Sequence, residues 1–541
     1  MRPLLLRTFI ALCLVAALAR CANIRTPSGG PKDKKPPRLI SSIPPANQTN
    51  YKGTTILLTF DETVKLNNPR EEIIISPSPG KEIEYQVKNN KVFITPKTPW
   101  KDSTTYSILF REGIQDITES NVPPNLKLAF STGPHIDSLI IAGTVTDLLL
   151  GDPKDQATVA IYASDTFNIF LHAPEYFTKT DKNGNFQLEN IANGTFRLYA
   201  FVDKNKNLKI ESRSEMFGFL KQPLELHHDV DTLQIGLVQL DSRPLKLSSV
   251  RNLGNLTRIK YSKALTDFTI TPDTLSSAFG DNQTEINIWA PLQDSLRVHL
   301  MGRDSLETTT DTLLYIKRDP SVKVPQEKFS VSLGGPSINP DQGRLITTLT
   351  FSKPILQFNY DSLYIKVDTT ARLTFSKDEV TYIRKKKQLR IQKDLGKKMF
   401  GPDSNPELTL MMKKAFALSM DQDTSKAQSE TVTIYWPEEN AIVSVQAQTS
   451  RKNYILQLIE KTSRKVVAEA INQPRLNAKN VVPSDYLIRA ILDDNANGKW
   501  DPGNYERGIE PEKIIYYRAG GGSKIFPVRA NWEIGPLSFT F

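Results

Sequence analysis

"ILLTFDETVKLNNPREEIII" (residues 56–75) contains the pattern that decides the fold of this chain. A short alternating run of apolar and polar residues is broken by a polar pair, and a second apolar run follows. The pattern returns in "TTLTFSKPILQFNYDSLYI" (347–365) and, more faintly, in "TRIKYSKALTDFTI" (257–270). Runs of Thr, Ile, Val, Phe and Tyr between turn residues are typical of β-strands. Because internal similarity indicates repeated units, the sequence predicts three copies of one β-sandwich.

In each copy an aromatic residue ends the first strand and an apolar residue follows the polar pair. These pairs are Phe60 and Val64, Phe351 and Ile355, and Tyr261 and Leu265. Long stretches of helical period are nearly absent. The segment 452–471 could suggest a helix, but we interpret it as two strands around a charged turn at 460–464.

A second repeat is sharper than the first. "FRLYAFVDKNKNLKIES" (196–212) aligns with "YLIRAILDDNANGKWDP" (486–502) at a constant offset of 290 residues. The first copy is preceded by "IIAGTVTD" (140–147) and by "TDKNGNFQLENIANGTF" (180–196). A duplicated strand followed by a polar loop predicts two further related β-units.

The Pro-rich entry, "ILLTFDETV", the "TTY" strand, the "IQDITES" turn and the closing "FSTG" together resemble a bacterial Ig-like domain named after an S-layer protein. This resemblance implies that Tyr106 pins a corner of the sandwich. The second repeat, with its Gly-containing first strand and "D-x-N-G-x-F" turn, resembles a transthyretin-like or carboxypeptidase-regulatory-like sandwich. The whole chain resembles an Ig-domain lipoprotein of Bacteroidetes.

These resemblances predict an all-β chain of tandem sandwiches after a lipoprotein signal peptide. The predicted parts are a signal peptide (1–20), a lipid-anchored tether (21–36), a bacterial Ig-like domain (37–133), a transthyretin-like sandwich (138–240), a weakly matching Ig-like domain (245–320), a further Ig-like domain (323–436) and a second transthyretin-like sandwich (440–541).

The N-terminus has the features of an export signal. Arg2 and Arg7 precede an uncharged run that is too short to span a bilayer, which needs about 20 helical residues. The sequence around Cys21 resembles a lipobox, although Arg20 stands where a small residue is usual. The resemblance implies lipidation of Cys21, while an ordinary signal peptide is the alternative. Cys13 lies within the signal, so the mature chain would have a single cysteine and no internal disulfide.

The residues after Cys21 refine the predicted location. They include neither the aspartate that retains some lipoproteins at the inner membrane nor the acidic cluster that resembles a surface-export signal. The resemblance therefore implies an outer-membrane lipoprotein that faces the periplasm. The net charge of +10 is spread over a chain with 59 acidic side chains, and we expect no nucleic-acid partner.

The two aligned loops are the best candidate sites. Their residues are Asp203, Asn205, Asn207 and Glu211 in the first loop and Asp493, Asn495, Asn497 and Asp501 in the second. Oxygen ligands at positions one, three, five and nine suit Ca²⁺, and Gly498 occupies the sixth position, where an EF-type loop turns. The twelfth positions lack the usual glutamate, which Glu215 or Glu506 could replace from nearby. The loops therefore predict either a structural Ca²⁺ site or turns closed by their own side chains.

The other motifs give weaker evidence of a functional site. The triplet Asp-Ser/Thr-Leu resembles a Bacteroidetes O-glycosylation sequon, although it also suits a turn before a strand. It occurs, with two close variants, at Asp102, Asp137, Asp231, Asp273, Asp294, Asp304, Asp311, Asp361 and Asp368. We expect His227, His228 and Asp229 to lie in a polar loop and the basic run 384–393 to form a solvated turn and strand face.

No motif of a nucleophile elbow, phosphate-binding loop or zinc protease is present in the sequence. We therefore predict a non-enzymatic outer-membrane lipoprotein, a row of sandwiches that binds or scaffolds within the envelope. Its partners would be the membrane, through the N-terminal lipid, and an outer-membrane complex or a glycan. The alternatives are a surface glycan-binding protein with an aromatic platform and a hydrolase with a carboxylate pair. The tryptophans available for such a platform are Trp100, Trp289, Trp436, Trp500 and Trp532.

Overall fold

The structure is a computed structural model. It describes residues 32–80, 82–163, 167–253, 256–280, 282–289, 295–316, 328–339, 343–368, 371–400, 406–434, 440–520 and 522–541. The signal peptide, Cys21 and most of the predicted tether lie outside these residues. None of the helices among them is long and apolar enough to cross a membrane.

The predicted all-β fold is confirmed: strands make up 51% of the structure and helix is almost absent. The first group of strands is β1 (Leu39–Ile43), β2 (Ile56–Phe60), β3 (Val64–Leu66), β4 (Ile74–Ser76), β5 (Ile83–Lys88), β6 (Lys91–Pro96), β7 (Thr105–Leu109), β8 (Ile114–Asp116) and β9 (Lys127–Ser131). They form the sheets β1-β2-β6-β5 and β4-β7-β9 and the pair β3-β8. One short helix, α1 (Pro69–Glu72), interrupts them. Buried Tyr106 accepts a hydrogen bond from the Lys101 backbone N–H at 2.8 Å, as expected of a corner tyrosine.

The second group of strands is β10 (Leu139–Asp147), β11 (Thr158–Tyr162), β12 (Tyr176–Lys179), β13 (Asn185–Ile191), β14 (Gly194–Phe201), β15 (Phe217–Phe219), β16 (Leu224–Leu226) and β17 (Val230–Leu237). Its sheets are β13-β10-β17 and β12-β11-β14-β15, with β16 also on β14. β10 and β17 run parallel. Gly143 permits their close approach, because a Cβ there would lie 2.2 Å from the carbonyl oxygen of Leu233.

The third group of strands is β18 (Leu247–Leu253), β19 (Leu256–Tyr261), β20 (Asp267–Thr271), β21 (Ser276–Phe279), β22 (Glu285–Trp289), β23 (Leu296–Arg303) and β24 (Thr309–Ile316). They form the sheets β18-β19-β22-β21 and β20-β23-β24. Their facing side chains make one apolar core, which includes Tyr261 and Leu265 of the faintest repeat.

The fourth group of strands is β25 (Val331–Leu333), β26 (Ser337–Asn339), β27 (Arg344–Phe351), β28 (Ile355–Phe358), β29 (Leu363–Val367), β30 (Ala371–Thr374), β31 (Val380–Ile383), β32 (Gln388–Asp394), β33 (Leu408–Met412), β34 (Ala417–Ser419), β35 (Gln428–Thr431) and β36 (Thr433–Ile434). Short 3₁₀ turns lie at Tyr360–Ser362, Lys377–Glu379, Arg384–Lys386 and Lys397–Phe400. The sheets are β31-β32-β27-β26-β36, with β25 on β27, then β30-β29-β33-β35 and the pair β28-β34.

The last group of strands is β37 (Ala441–Gln448), β38 (Ile455–Glu460), β39 (Val466–Ile471), β40 (Arg475–Val481), β41 (Ser484–Ile491), β42 (Ile514–Tyr516), β43 (Ile525–Val528) and β44 (Glu533–Thr540). Its sheets β40-β37-β44 and β39-β38-β41-β42, with β43 on β41, repeat the topology of the second group strand for strand. The parallel pair is again made by the first and last strands. The predicted turn at 460–464 lies between β38 and β39.

Five separate apolar cores follow one another along the chain, and each belongs to one group of strands. The aromatic and apolar members of the first repeat are buried in three of these cores. The proposed domain boundaries themselves stay predictions, because a core shows where side chains pack and not whether a segment folds alone.

In two copies of the first repeat, the residue two positions after the aromatic residue that ends the first strand is a lysine that forms an ion pair. Lys263 is 5% exposed and pairs with Asp304 at 2.5 Å. Lys353 pairs with Asp423 at 2.6 Å and with Asp421 at 3.0 Å. In both copies the lysine reaches an aspartate in the turn that follows a later strand.

The first copy has Glu62 at this position. Its pKa is raised by partial burial and by the nearby carboxylates of Asp116, Asp33 and Asp61. Asp116 is buried and accepts backbone hydrogen bonds from Glu119 and Ser120 at 2.7 and 2.8 Å. Because folding raises the pKa of Glu62, stability is lost as the pH rises through its titration.

We expect Glu62→Lys to stabilise the first group of strands by up to about 1 kcal/mol at pH 7, because a lysine at this position attracts the Asp116 carboxylate, whereas Glu62 repels it. Calorimetric unfolding of the full chain, together with slower hydrogen exchange in β8, measures the effect. Glu84→Lys is the matched control, since it makes the same charge change on the exposed side of β5. An equal gain in both variants, or a loss in Glu62→Lys, would refute the equivalence of the three positions.

Candidate functional site

The first candidate loop joins β14 to β15 and is closed by its own side chains. The Asp203 carboxylate accepts the backbone N–H groups of Asn207 at 3.1 Å and Leu208 at 2.8 Å. The Asn205 side chain accepts the N–H of Asn207 at 3.2 Å and donates to Glu211 at 2.6 Å. The four predicted residues of this loop therefore come together.

The second loop joins β41 to β42 and repeats this geometry. The Asp493 carboxylate accepts the N–H groups of Asn497 at 3.0 Å and Gly498 at 2.8 Å. The Asp501 carboxylate accepts hydrogen bonds from the amides of Asn495 and, at 2.7 Å, of Asn497. A positive φ of 74° at Gly498 allows the chain to turn at this point.

A buried glutamate completes each loop. Glu215 is 1% exposed and accepts the N–H groups of Lys204 and Glu211, each at 2.8 Å. Glu512 accepts those of Asp494 at 2.9 Å and Asp501 at 3.0 Å. Each glutamate carboxylate therefore accepts two hydrogen bonds, one from the second and one from the ninth position of its loop, and so connects these two positions.

Glu215 is one of the two glutamates that the sequence predicted for this role, and Glu512 is not. Glu506, which the sequence suggested instead, is exposed. The loops align at an offset of 290 residues, whereas the two glutamates are 297 residues apart, so the last copy has a seven-residue insertion before its glutamate. A search for the next glutamate beyond an insertion could have found it.

Calcium at these loops stays a prediction. The four predicted residues of each loop are two carboxylates and two amides, and in the described residues no three His, Cys, Asp or Glu side chains meet as a metal site. The side-chain oxygens of Asp203 and Asp493 already accept backbone N–H groups, an arrangement that accounts for the turns without an ion. Burial raises the pKa of Glu512, and the carboxylates of Asp501 and Asp493 raise it further.

The insertion after the second loop docks on the second group of strands. The Tyr505 ring lies 5.3 Å from the ring of Phe219, 5.5 Å from Phe170 and 6.0 Å from Phe217. Beside it, Asn504 is 7% exposed, and its amide donates to the carbonyl oxygen of Leu306 at 3.3 Å. Three groups of strands therefore meet in one apolar cluster around Tyr505, which we call the Tyr505 junction.

A turn at 148–152, which follows β10 of the second group, makes a second set of contacts with the last group of strands. Arg489 donates to the carbonyl oxygen of Leu149 at 2.7 Å, and the Tyr516 hydroxyl donates to that of Leu148 at 2.8 Å. Lys524 pairs with Asp152 at 2.6 Å. Burial lowers the pKa of Arg489, and the neighbouring Tyr516, Glu469 and Asp147 oppose this effect.

Both loops also take part in contacts between groups of strands. Lys206 in the first loop pairs with Glu71 of the first group, and Lys499 in the second pairs with Glu307 of the third. The chain is therefore not the simple row that the sequence suggested, because its last part packs on its second.

The remaining predictions have mixed outcomes. His227 is exposed and hydrogen-bonds Asn193, while Asp229 accepts the Ile140 N–H, as expected of a polar loop. The basic run is not wholly solvated: Lys387 is buried, and Lys385 pairs with Asp267 at 2.7 Å across two groups of strands. Lipidation of Cys21 falls outside the described residues.

The glycosylation triplets occupy different environments. Ser362 is buried after Asp361, and Asp304 is itself buried in an ion pair. Hydroxyls at other triplets are exposed, at Ser103, Ser138, Thr232, Thr274 and Ser305. Asp294 is outside the described residues, and modification stays a prediction.

Three of the described tryptophans lie apart from one another and do not form an aromatic platform. Trp100 packs edge-on against Tyr106 and Phe130, and Trp500 packs on the Tyr505 junction. Trp532 lies under Arg529. Trp436 is outside the described residues.

Residues 33–132 match the bacterial Ig-like domain family. No match was found among curated proteins. Similar solved structures include a surface layer protein, rSbsC(31-844), at 12% identity over 90% of this chain and 67% of that chain, with a TM-score of 0.17. The major pilin subunit BcpA of Bacillus cereus is similar at 10% identity over 75% of this chain and 99% of that chain, with a TM-score of 0.14. A Bacteroides ovatus glucan-utilization protein, SGBP-B, in complex with a mixed-linkage heptasaccharide, is similar at 11% identity over 61% of this chain and 83% of that chain, with a TM-score of 0.17.

The chain is a multidomain all-β protein that contains a bacterial Ig-like domain. Such domains indicate a protein of the bacterial cell surface or envelope.

We expect Glu512→Ala to cost the second loop about 1–3 kcal/mol, because two backbone N–H groups lose their acceptor. Hydrogen exchange at the amides of Asp494 and Asp501 should accelerate by roughly tenfold or more. Glu506→Ala removes the same charge from an exposed site and should leave both amides protected. Unchanged exchange in Glu512→Ala would contradict the assigned role, and repeating the measurement with Ca²⁺ tests the calcium prediction.

We expect Tyr505→Ala to weaken the Tyr505 junction by about 3 kcal/mol, since removal of a packed aromatic ring costs roughly this much. Small-angle scattering should show a larger radius of gyration, and hydrogen exchange in β15 should accelerate. Tyr315→Ala is the control, because Tyr315 is 61% exposed. Identical scattering of Tyr505→Ala and the wild type would show that the junction does not hold the chain together.

Proposed function

We propose that this chain is a non-enzymatic, lipid-anchored outer-membrane protein that faces the periplasm and acts as a binding or scaffolding module of the envelope. Cys21, at the end of an apolar leader, supports the anchor. The bacterial Ig-like domain at 33–132 supports an envelope location. The resemblance of the duplicated units to transthyretin-like sandwiches suits a Bacteroidetes lipoprotein of this kind.

The Tyr505 junction is the observation on which the scaffolding role depends. A chain of sandwiches joined only by linkers cannot hold two binding surfaces at a fixed separation. Here the last group of strands is fixed to the second by an aromatic cluster and to the 148–152 turn by Arg489, Tyr516 and Lys524. Loops at the ends of such fixed units are well placed to bind partners.

The anchor is tested by intact mass of the native protein beside a Cys21→Ser variant. We expect the wild type to carry a diacyl or triacyl mass and to remain with the outer membrane, and the variant to lose both. Whole-cell surface labelling should leave the wild type unlabelled. An unmodified mature mass would refute the lipid anchor, and labelling from outside would favour a surface role.

The scaffolding role is tested by purification from membranes in a mild detergent. A partner should co-purify in stoichiometric amount with the wild type and be reduced with Tyr505→Ala, which disturbs the relative placement of the units. Tyr315→Ala should retain the partner. Recovery of a monodisperse monomer alone would contradict a scaffolding role.

A further inference from the structure

A cleft of about 600 Å³ lies between the first and second groups of strands. Its walls are β4, β7 and the start of β9 on one side and β12 and β13 on the other. This volume is within the range of about 300–1,000 Å³ that small-molecule sites occupy. Neither the predicted loops nor the Tyr505 junction contribute to it.

Direct contacts hold the two walls at a fixed separation. Ser76 donates its hydroxyl to the carbonyl oxygen of Phe177 at 3.0 Å, and the backbone N–H of Ser78 donates to that of Glu175 at 2.6 Å. Lys127 pairs with Glu189 across the cleft at 2.7 Å. The cleft is therefore formed before any ligand arrives, which lowers the entropic cost of binding.

Three polar side chains in the lining have no partner among the described residues. Ser107 and Asn125 make no side-chain hydrogen bond there, and half-buried Lys179 makes neither a hydrogen bond nor an ion pair there. Burial and the nearby Arg111 lower the pKa of Lys179, and the carboxylates of Glu72, Glu71 and Asp203 offset only part of this effect. A partly desolvated cation without a direct ion-pair partner favours a ligand that brings a negative charge.

The remaining lining limits what that ligand can be. Gln187 and Asn185 add amides, and Leu109 adds apolar surface. The two lysines of the lining, Lys127 and Lys179, are matched in number by Asp181 and Glu189, so a ligand with a single carboxylate suits the cleft better than a doubly charged phosphate. Hydroxyl groups on the ligand would pair with the amides and Ser107.

We infer that this cleft binds an acidic saccharide, with the ligand carboxylate against Lys179 and its hydroxyl groups on Asn125 and Ser107. The inference rests on the proposed binding role and gives it a ligand class. It does not use the aromatic platform that the sequence analysis expected of a glycan-binding protein.

The test is calorimetric titration of the detergent-solubilised full chain with tetragalacturonate and tetramannuronate as carboxylated probes and maltotetraose as the neutral probe. We expect a carboxylated probe to bind and to weaken with added salt, because a charge pair is screened. Maltotetraose should bind much more weakly. Failure of both carboxylated probes, equal binding of maltotetraose, or hydrolysis of a probe would overturn the inference.

Variants assign the binding to this cleft. Lys179→Met keeps the length of the side chain and should weaken binding roughly tenfold or more, since a hydrogen bond to a charged group is lost. Lys182→Met is the matched control, an exposed lysine outside the lining, and should bind as the wild type does. Asn125→Gly tolerates the φ of 52° at this position and should also weaken binding.

If Lys179→Met binds as tightly as the wild type, the cleft is not the site. If no probe binds although the protein carries its acyl mass, the inference fails while the proposed lipoprotein stands. An unmodified mass would instead refute the proposed anchor, whatever the titration shows.

Discussion

One strand in each of two sheets of this protein is buried on both faces, and the arrangement of the chain depends on that constraint. All five residues of β11 are buried, and so are the first five of β38. One face of each sheet packs in its own sandwich core, and the other must be covered by a different part of the chain, because exposed apolar surface costs about 25 cal/mol per Å². Tyr505 and Trp500 cover the outer face of the first sheet, and the 148–152 turn covers that of the second. The two duplicated units therefore pack on each other although nearly 300 residues separate them.

The two duplicated units have similar loops, and a short insertion after the second loop contacts other groups of strands. Glu215 and Glu512 accept backbone N–H groups at matching positions, so the turn itself has been preserved. Between Asp501 and Glu512 the last copy adds seven residues, and these include Asn504 and Tyr505. A stable turn at the base allows such an insertion to be held in one conformation. The loops therefore have a structural explanation whether or not an ion binds them.

The sequence predicted what depends on local pattern and missed what depends on distant contact. Alternation identified the strands, and the repeat correctly placed Phe60, Phe351 and Tyr261 in cores. The run "TVAIY" of β11 has no charged residue and three aliphatic ones, a pattern typical of burial on both faces, but it does not say what covers the second face. Lys263 and Lys353 occupy one repeat position, yet their aspartate partners lie 41 and about 70 residues further on, where no spacing rule applies. The cleft was equally unpredictable, because its walls belong to two units.

The second sandwich contacts the last sandwich and the first sandwich through two joints of different chemistry. This difference determines which of the two joints a ligand in the cleft can strengthen. Its joint with the last sandwich is an aromatic cluster, whereas its joint with the first consists of polar contacts such as Lys101 with Glu175 and Lys127 with Glu189. Exposed ion pairs contribute only about 0–1 kcal/mol each, so the first joint is the weaker one. A ligand that contacts both walls of the cleft would add its binding free energy to this joint and not to the aromatic one. Binding there would strengthen the attachment of the Ig-like domain, nearest the predicted anchor, to the rest of the chain.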